Sequence, residues 1–223
     1  MKHVIFDIET GPLPRADIER IAPAFNESNV KAGNLGIEKT IEKITTLKAR
    51  HLDKIIDEAA LEAEYGETLA IGILAENVTE VLLGDEATII ADFWKRAYDD
   101  FRAGGIVWVG HHSNIFDLPF LLRRSLIKGV KIPPGITPHY RYWPDFWVDL
   151  EDVWRAGNFR AHISLDRFCK ACGLEGKNGS GKFFSQLFKE DRDAALEYLE
   201  NDLAITAKLA ERVLSCATRG MPR

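Results

Sequence analysis

Lys2-His-Val-Ile-Phe-Asp-Ile-Glu-Thr10 is an apolar, β-branched run of strand length with two acids set into it, Asp7 and Glu9. Side chains two apart on a strand project from the same face, so both carboxylates aim at one place. Holding two like charges on a core strand is costly unless a cation neutralises them. The pair therefore suggests a divalent-metal site, whereas a strand end frayed into water would leave both acids simply hydrated. On these two residues alone, both readings stand.

Outward from that strand, Gly11-Pro-Leu-Pro14 breaks the chain into a loop. Residues 15–35 show no clean period and are expected to be irregular. From Gly36 to Tyr65 apolar residues recur at helical spacing (Ile37, Ile41, Ile44, Leu47, Leu52, Ile55, Ile56, Ala59), which predicts one or two amphipathic helices. Residues 11–66 thus read as a helical excursion, a flap inserted between the first two strands. Thr68–Ala75 and Val78–Leu83 predict a hairpin around Glu76-Asn77. Asp85–Phe101 is an amphipathic helix ended by Gly104-Gly105, and Ile106–Val109 is a buried strand. Asn114 is the expected N-cap of a helix carrying Asp117, Leu118, Phe120, Leu121 and Leu122. Val148-Asp149-Leu150 reads as a short strand, with helices near 163–173 and 191–216. The order predicts an α/β fold, a mixed five-stranded sheet with helices on its faces, in a single domain over 1–223.

Composition narrows the class. The 223 residues are 46% hydrophobic, with five Trp and twelve Phe, enough for a sizeable core. Three cysteines (Cys169, Cys172, Cys216) give no even disulfide framework, and Cys169-x-x-Cys172 has no second pair at zinc spacing, so packing on a helix is the reading. No leader pattern and no membrane-length apolar run stands out, and a cytoplasmic location without membrane contact is expected. The net charge of −5 argues against a polyanionic partner, yet residues 120–182 carry eleven Lys/Arg against six Asp/Glu. A surface of that sign suits phosphate backbones, and equally an ordinary solvated face.

Two more acids stand where they can join the first pair. Asp117 opens a helix just beyond strand 106–109, so it reaches the same sheet edge if that strand lies parallel to the first; a lone first-turn Asp is otherwise a helix-dipole residue. Tyr198 and Asp202 lie at i and i+4 on the last helix, hence on one face with Ala195, Ile205 and Leu209. An acid in such an inward stripe needs a base or a metal.

Taken together, Phe6-Asp7-Ile8-Glu9-Thr10, then Gly110-x5-Phe116-Asp117-Leu118-Pro119, then Tyr198-x3-Asp202 resembles the three motifs of the DEDD superfamily of 3′–5′ exonucleases, which have the ribonuclease H-like fold. Within it the chain looks like the proofreading exonuclease domain of family B DNA polymerases. The resemblance implies that Asp7, Glu9, Asp117 and Asp202 bind two divalent cations, Mg²⁺ or Mn²⁺, and that Tyr198 orients the attacking water. Glu197 stands where a sister branch carries His, which places the chain in the Tyr subclass (DEDDy). Where relatives often have Asn in the second motif stands His112, which either contacts the nucleotide or caps the turn.

The implied chemistry is phosphodiester hydrolysis at the 3′ end of a single-stranded nucleic acid, releasing nucleoside 5′-monophosphates. Two hard ions activate water on one side and neutralise the leaving oxygen on the other. Asp7 is expected to bridge, with Glu9 and Asp202 completing one ion site and Asp117 serving the other. Thr10, Leu13 (as a wedge against the terminal base), His112 and Phe116 are the candidate substrate contacts. Tyr140, Tyr142, Trp143, Phe146 and Trp147 either stack bases or pack under their loop. Arg123, Arg124, Lys170, Lys177 and Lys182 are candidate phosphate contacts, and Gly176–Gly181 a loop near the substrate. The competing reading is a nucleic-acid-binding module of the same fold that does not turn over. A third, metal-free hydrolysis by paired acids, predicts activity that survives chelation.

Overall fold

The computed structural model describes residues 2–138, 142–177 and 184–216. The chain divides into two compact units: one holds the residues up to Thr10 and from Thr68 onward, the other Gly11–Glu67.

In the first unit, β1 (Lys2–Pro12), β2 (Gly66–Ala75), β3 (Val78–Leu83), β4 (Ile106–Gly110) and β5 (Trp147–Asp149) form one sheet in the order β3-β2-β1-β4-β5. β1 runs parallel to β4, with Lys2 opposite Ile106 and Ile5 opposite Val109, and β4 runs parallel to β5. β2 and β3 pair antiparallel as the expected hairpin, and its turn residues Glu76 and Asn77 both take positive φ (50° and 65°). That is the twist-matched two-residue turn.

Alternation along β1 sorts its side chains between two cores. Phe6 faces an aromatic cluster with Trp108, Trp147 and Phe93, ring centroids 5.5–5.8 Å away. Phe93 comes from α3 (Glu86–Ala103), and α4 (Asp117–Lys128) packs beside it. The buried indoles find acceptors: Trp94 Nε1 donates to Ser125 Oγ (2.8 Å), Trp108 to Asp100 (3.0 Å) and Trp147 to the Ile136 carbonyl (2.7 Å). Ile5 points the other way, into a core with Val107, Val109, Val148, Leu199 and Leu203. The last two belong to α8 (Arg192–Cys216), which lies against Gly72 so closely that a Cβ there would stand 2.7 Å from Leu203 Cδ1. Asp7 and Glu9 share the parity of Ile5 and therefore the α8 side.

Four local expectations change. Leu150 belongs not to a strand but to α5 (Leu150–Arg155), which begins directly after β5 because Asp149 caps it, accepting from Glu151 N. A short helix, α7 (Phe184–Glu190), stands between α6 (Leu165–Ala171) and α8. Asn114 does not cap α4: the cap position is Phe116, and the Asn114 amide donates to Asp152 instead (2.9 Å). Arg124 is not a phosphate contact. It is 1% exposed and clasps Glu86 with two bonds (2.8 and 2.6 Å), and Glu86 also accepts from Thr68 N, joining α4, α3 and β2. Cys169 is buried in α6 as a packing residue, and Cys172 follows at its cap.

The second unit was expected to be irregular over 15–35. It contains α1 (Arg15–Ile21), which buries Ile18 alone, and a 3-10 turn at Glu27–Asn29 capped by Asn26. α2 (Ile37–Glu58) fills most of the rest. Its ties within its own unit include Arg15 to Asp53 (3.4 Å), Lys48 to Glu27 (3.0 Å) and His51 to the Pro23 carbonyl (2.9 Å).

Candidate active site

Three segments distant in sequence bring acids to one place. β1 supplies Asp7 and Glu9 on its α8 face. α8 supplies Asp202, 1% exposed, with Tyr198 one turn before it. Ligand oxygens of Asp7, Glu9 and Asp202 all lie within 4.8 Å of one another. Asp117 begins α4 and accepts the backbone N–H of Ile8 (3.2 Å), the residue between the first two acids.

The turn that delivers Asp117 is built for close approach. A Cβ on Gly110 would stand 2.6 Å from Ser113 Cβ, so only glycine fits there. His112 follows with φ +64°, a conformation side chains rarely adopt. It is fixed by Asp149, whose carboxylate accepts the N–H groups of His112 (2.8 Å), Asn114 (2.9 Å) and Glu151 (2.9 Å). Asp149 is thus the organiser of the turn. Its position at the end of a short strand is the only signal the sequence offers for it.

Crowding of buried acids shows in their proton affinities. Burial, with the charge of Asp202 adding and Lys177 opposing, pushes Asp7 up to about 7. Burial and then the charges of Asp7 and Asp202 hold Glu9 well above the usual carboxylate range, and burial with Asp7 does the same to Asp117. Lys177 answers this negative charge: its ammonium meets Asp202 Oδ2, lies 3.4 Å from the Tyr198 hydroxyl, and is 5.6 Å from the centre of that ring. Burial opposes its charge, but Asp202 and Asp7 outweigh burial and raise its pKa. Tyr198 is raised above the ordinary phenol range, chiefly by burial, so at neutral pH it keeps its proton. Asp202 Oδ1 is buried with no hydrogen-bond partner among the described residues. An orphaned carboxylate oxygen among converging acids fits a hard cation.

The remaining candidates are dispersed. Thr10 closes the first unit's part of β1, half-buried. Leu13 belongs to the other unit, where its N–H donates to the Tyr65 carbonyl (2.8 Å). Phe116 is half-buried with its ring 5.6 Å from Phe120, and the His112 ring faces Glu151. Phe146 and Trp147 are core, Trp143 donates to the Asn114 carbonyl (3.2 Å), and Tyr142 is exposed. Arg123 is exposed and Lys170 pairs with Asp166. Tyr140, Lys182 and most of Gly176–Gly181 lie outside the described residues.

Residues 46–209 match the family described as "Predicted 3'-5' exonuclease related to the exonuclease domain of PolB". The chain belongs to this family. As a PolB-related exonuclease domain it also matches, over 96% of its length, a solved family B DNA polymerase from the hyperthermophilic archaeon Pyrobaculum calidifontis, with TM-score 0.56 and 19% identity. The match shows the fold, and the mixed sheet flanked by helices is ribonuclease H-like. The chain spans 24% of that polymerase's length. No curated protein matches the sequence. Among the described residues, no helix is long and apolar enough to cross a membrane.

Proposed function

We propose that this PolB-related domain is a working, metal-dependent 3′–5′ exonuclease of the Tyr subclass, which trims single-stranded nucleic-acid 3′ ends to nucleoside 5′-monophosphates. The observation that carries the reading is the meeting of Asp7, Glu9, Asp117 and Asp202 beside Tyr198, with one oxygen of Asp202 left unpartnered. Asp7, Glu9 and Asp202 would hold one Mg²⁺ or Mn²⁺ ion, and Asp7 with Asp117 a second. When bound, such ions supply an activated water and neutralise the leaving oxygen.

The side chains do the rest. Tyr198 is too weak an acid to act as a base at neutral pH, so it orients the water through its protonated hydroxyl. Lys177 stands among the acids as their counter-charge, and its ammonium turns to the substrate phosphate when cations take over that task. A groove of about 480 Å³ lined by Lys170, Glu175, Lys177, Asn201 and Lys208 shares Lys177 with the acid site, and its three lysines offer positive charge to the backbone. Thr10, Leu13, His112 and Phe116 are the proposed contacts to the terminal nucleotide.

The test is a digestion series on 5′-labelled single- and double-stranded DNA and RNA with Mg²⁺, Mn²⁺ or EDTA. Expected are stepwise shortening from the 3′ end, mononucleotide products and silence in EDTA. Asp7→Ala and Asp202→Ala should each lower the rate by at least about 10²–10³-fold while circular dichroism stays native. Binding of oligonucleotide without any cleavage would instead mark a silent module of the same fold.

A further inference from the structure

A second convergence of metal-ligating side chains shares no residue with the four acids. The turn after β4 presents His112, α5 presents Glu151, and the segment between α5 and α6 presents His162. The first two sit at the carboxyl ends of neighbouring parallel strands, the edge at which open α/β sheets seat ligands. His112 Nδ1 lies 2.5 Å from Glu151 Oε2, His162 Nδ1 meets Glu151 Oε1, and the imidazole rings are 5.7 Å apart. One donor atom from each of the three lies within 4.8 Å of the others.

Glu151 is fully buried, and its carboxylate is held from behind by Arg155 Nη2 (2.8 Å) and Ile163 N (3.1 Å). A ligand fixed by outer partners is the arrangement that orients metal sites. His112 is held in a left-handed backbone conformation by Asp149, which sets where its side chain leaves the turn. Local charge also favours a dication. Arg155 pairs with both Glu151 and Asp152, and Asp149 closes the adjoining turn, so these contacts set three carboxylates against one guanidinium. The His162 side chain is 64% exposed, which leaves an open approach.

We propose that His112, Glu151 and His162 form a separate transition-metal site, distinct from the carboxylate centre and suited to Zn²⁺ or a similar borderline ion. Two imidazoles and one carboxylate favour such ions over Mg²⁺, and three protein ligands leave a position for water. Each imidazole offers its Nδ1 lone pair when the ring proton sits on Nε2. The ion would brace the turn that delivers Asp117 to the segment leading into α6, whose Asp166 holds the Lys177 backbone (3.1 Å).

Co²⁺ is the probe, because its visible absorption reports coordination directly. In an Asp7→Asn/Asp202→Asn background, which leaves one carboxylate at each proposed ion site of the acid centre, the full chain should bind one equivalent of Co²⁺ with a Kd of about 10 µM or tighter. The expected spectrum is that of a four- or five-coordinate nitrogen–oxygen site, bleached by Zn²⁺. Adding the exposed substitution His162→Gln should weaken binding by about 100-fold, with unchanged circular dichroism. Absence of Co²⁺ binding in the double variant, or equal affinity after His162→Gln, overturns the proposal. Because the readout is Co²⁺ binding in a chain whose acids are already substituted, the outcome is separate from whether the domain cleaves nucleic acid.

Discussion

At the scale of single residues, Asp7 sits where its charge is least comfortable. Its carboxyl is pushed up to about 7, first by burial and then by Asp202, against the relief from Lys177. A carboxyl whose pKa is raised by folding binds its proton more tightly in the folded than in the unfolded chain. Its favourable contribution is complete below the unfolded value of about 4 and drains away as pH climbs through 7. In EDTA the melting temperature should therefore fall between about pH 5 and pH 8, and Asp7→Asn should flatten that fall. Each kcal/mol relieved is worth about 2–4 °C in a chain of this size. Adding Mn²⁺ at pH 8 should restore the parent and leave Asp7→Asn largely unmoved. Calorimetry in the two buffers reads both effects; a parent melting temperature that rises with pH in EDTA would contradict the assignment.

At the scale of elements, α8 and β2 are set by one contact. Gly72 lets the helix descend until Leu199 and Leu203 touch the sheet, and Asp202 stands beside Leu203. Gly72→Ala adds a methyl 2.7 Å from Leu203 Cδ1, too near for a buried side chain to accommodate without a shift. The expected cost is about 1–3 kcal/mol of stability, read by urea denaturation. Because the shift moves the helix that bears Tyr198 and Asp202, the rate should drop more than the loss of folded protein explains. A variant destabilised to that extent but fully active would show that the acids tolerate helix movement. The spacing of Tyr198 and Asp202 was legible in the sequence, since i and i+4 share a face on any helix. The depth at which α8 rests was not, because it depends on a glycine in another element.

At the scale of the whole chain, the two compact units differ in how they are stabilised. The first has two apolar cores on either side of the sheet. In the second, α2 contains no fully buried residue and leaves Ile37 (81%) and Ile41 (59%) exposed. Local opening free energy follows buried apolar contact, so amides of α2 should exchange with solvent well before those of β1, β4 and α4. Hydrogen-exchange mass spectrometry on peptides from both units measures this. Equal protection in α2 and β4 would contradict this expectation.

The sequence alone determined the features that depend on local periodicity. Alternation in β1 puts Asp7 and Glu9 on one face, the helical repeat aligns Tyr198 with Asp202, two β-rich runs around Glu76-Asn77 mark the hairpin, and the Gly11–Pro14 breakers mark where the first strand ends. These are properties of a few consecutive residues and survive any packing. Tertiary structure decided what requires two distant segments to meet. It set Arg124 against Glu86 rather than phosphate, Lys177 among the acids, Asp149 under the turn of His112, and His112 and His162 on the two oxygens of Glu151. A charged side chain's role is fixed by whatever counter-charge reaches it, and only the folded chain chooses that partner.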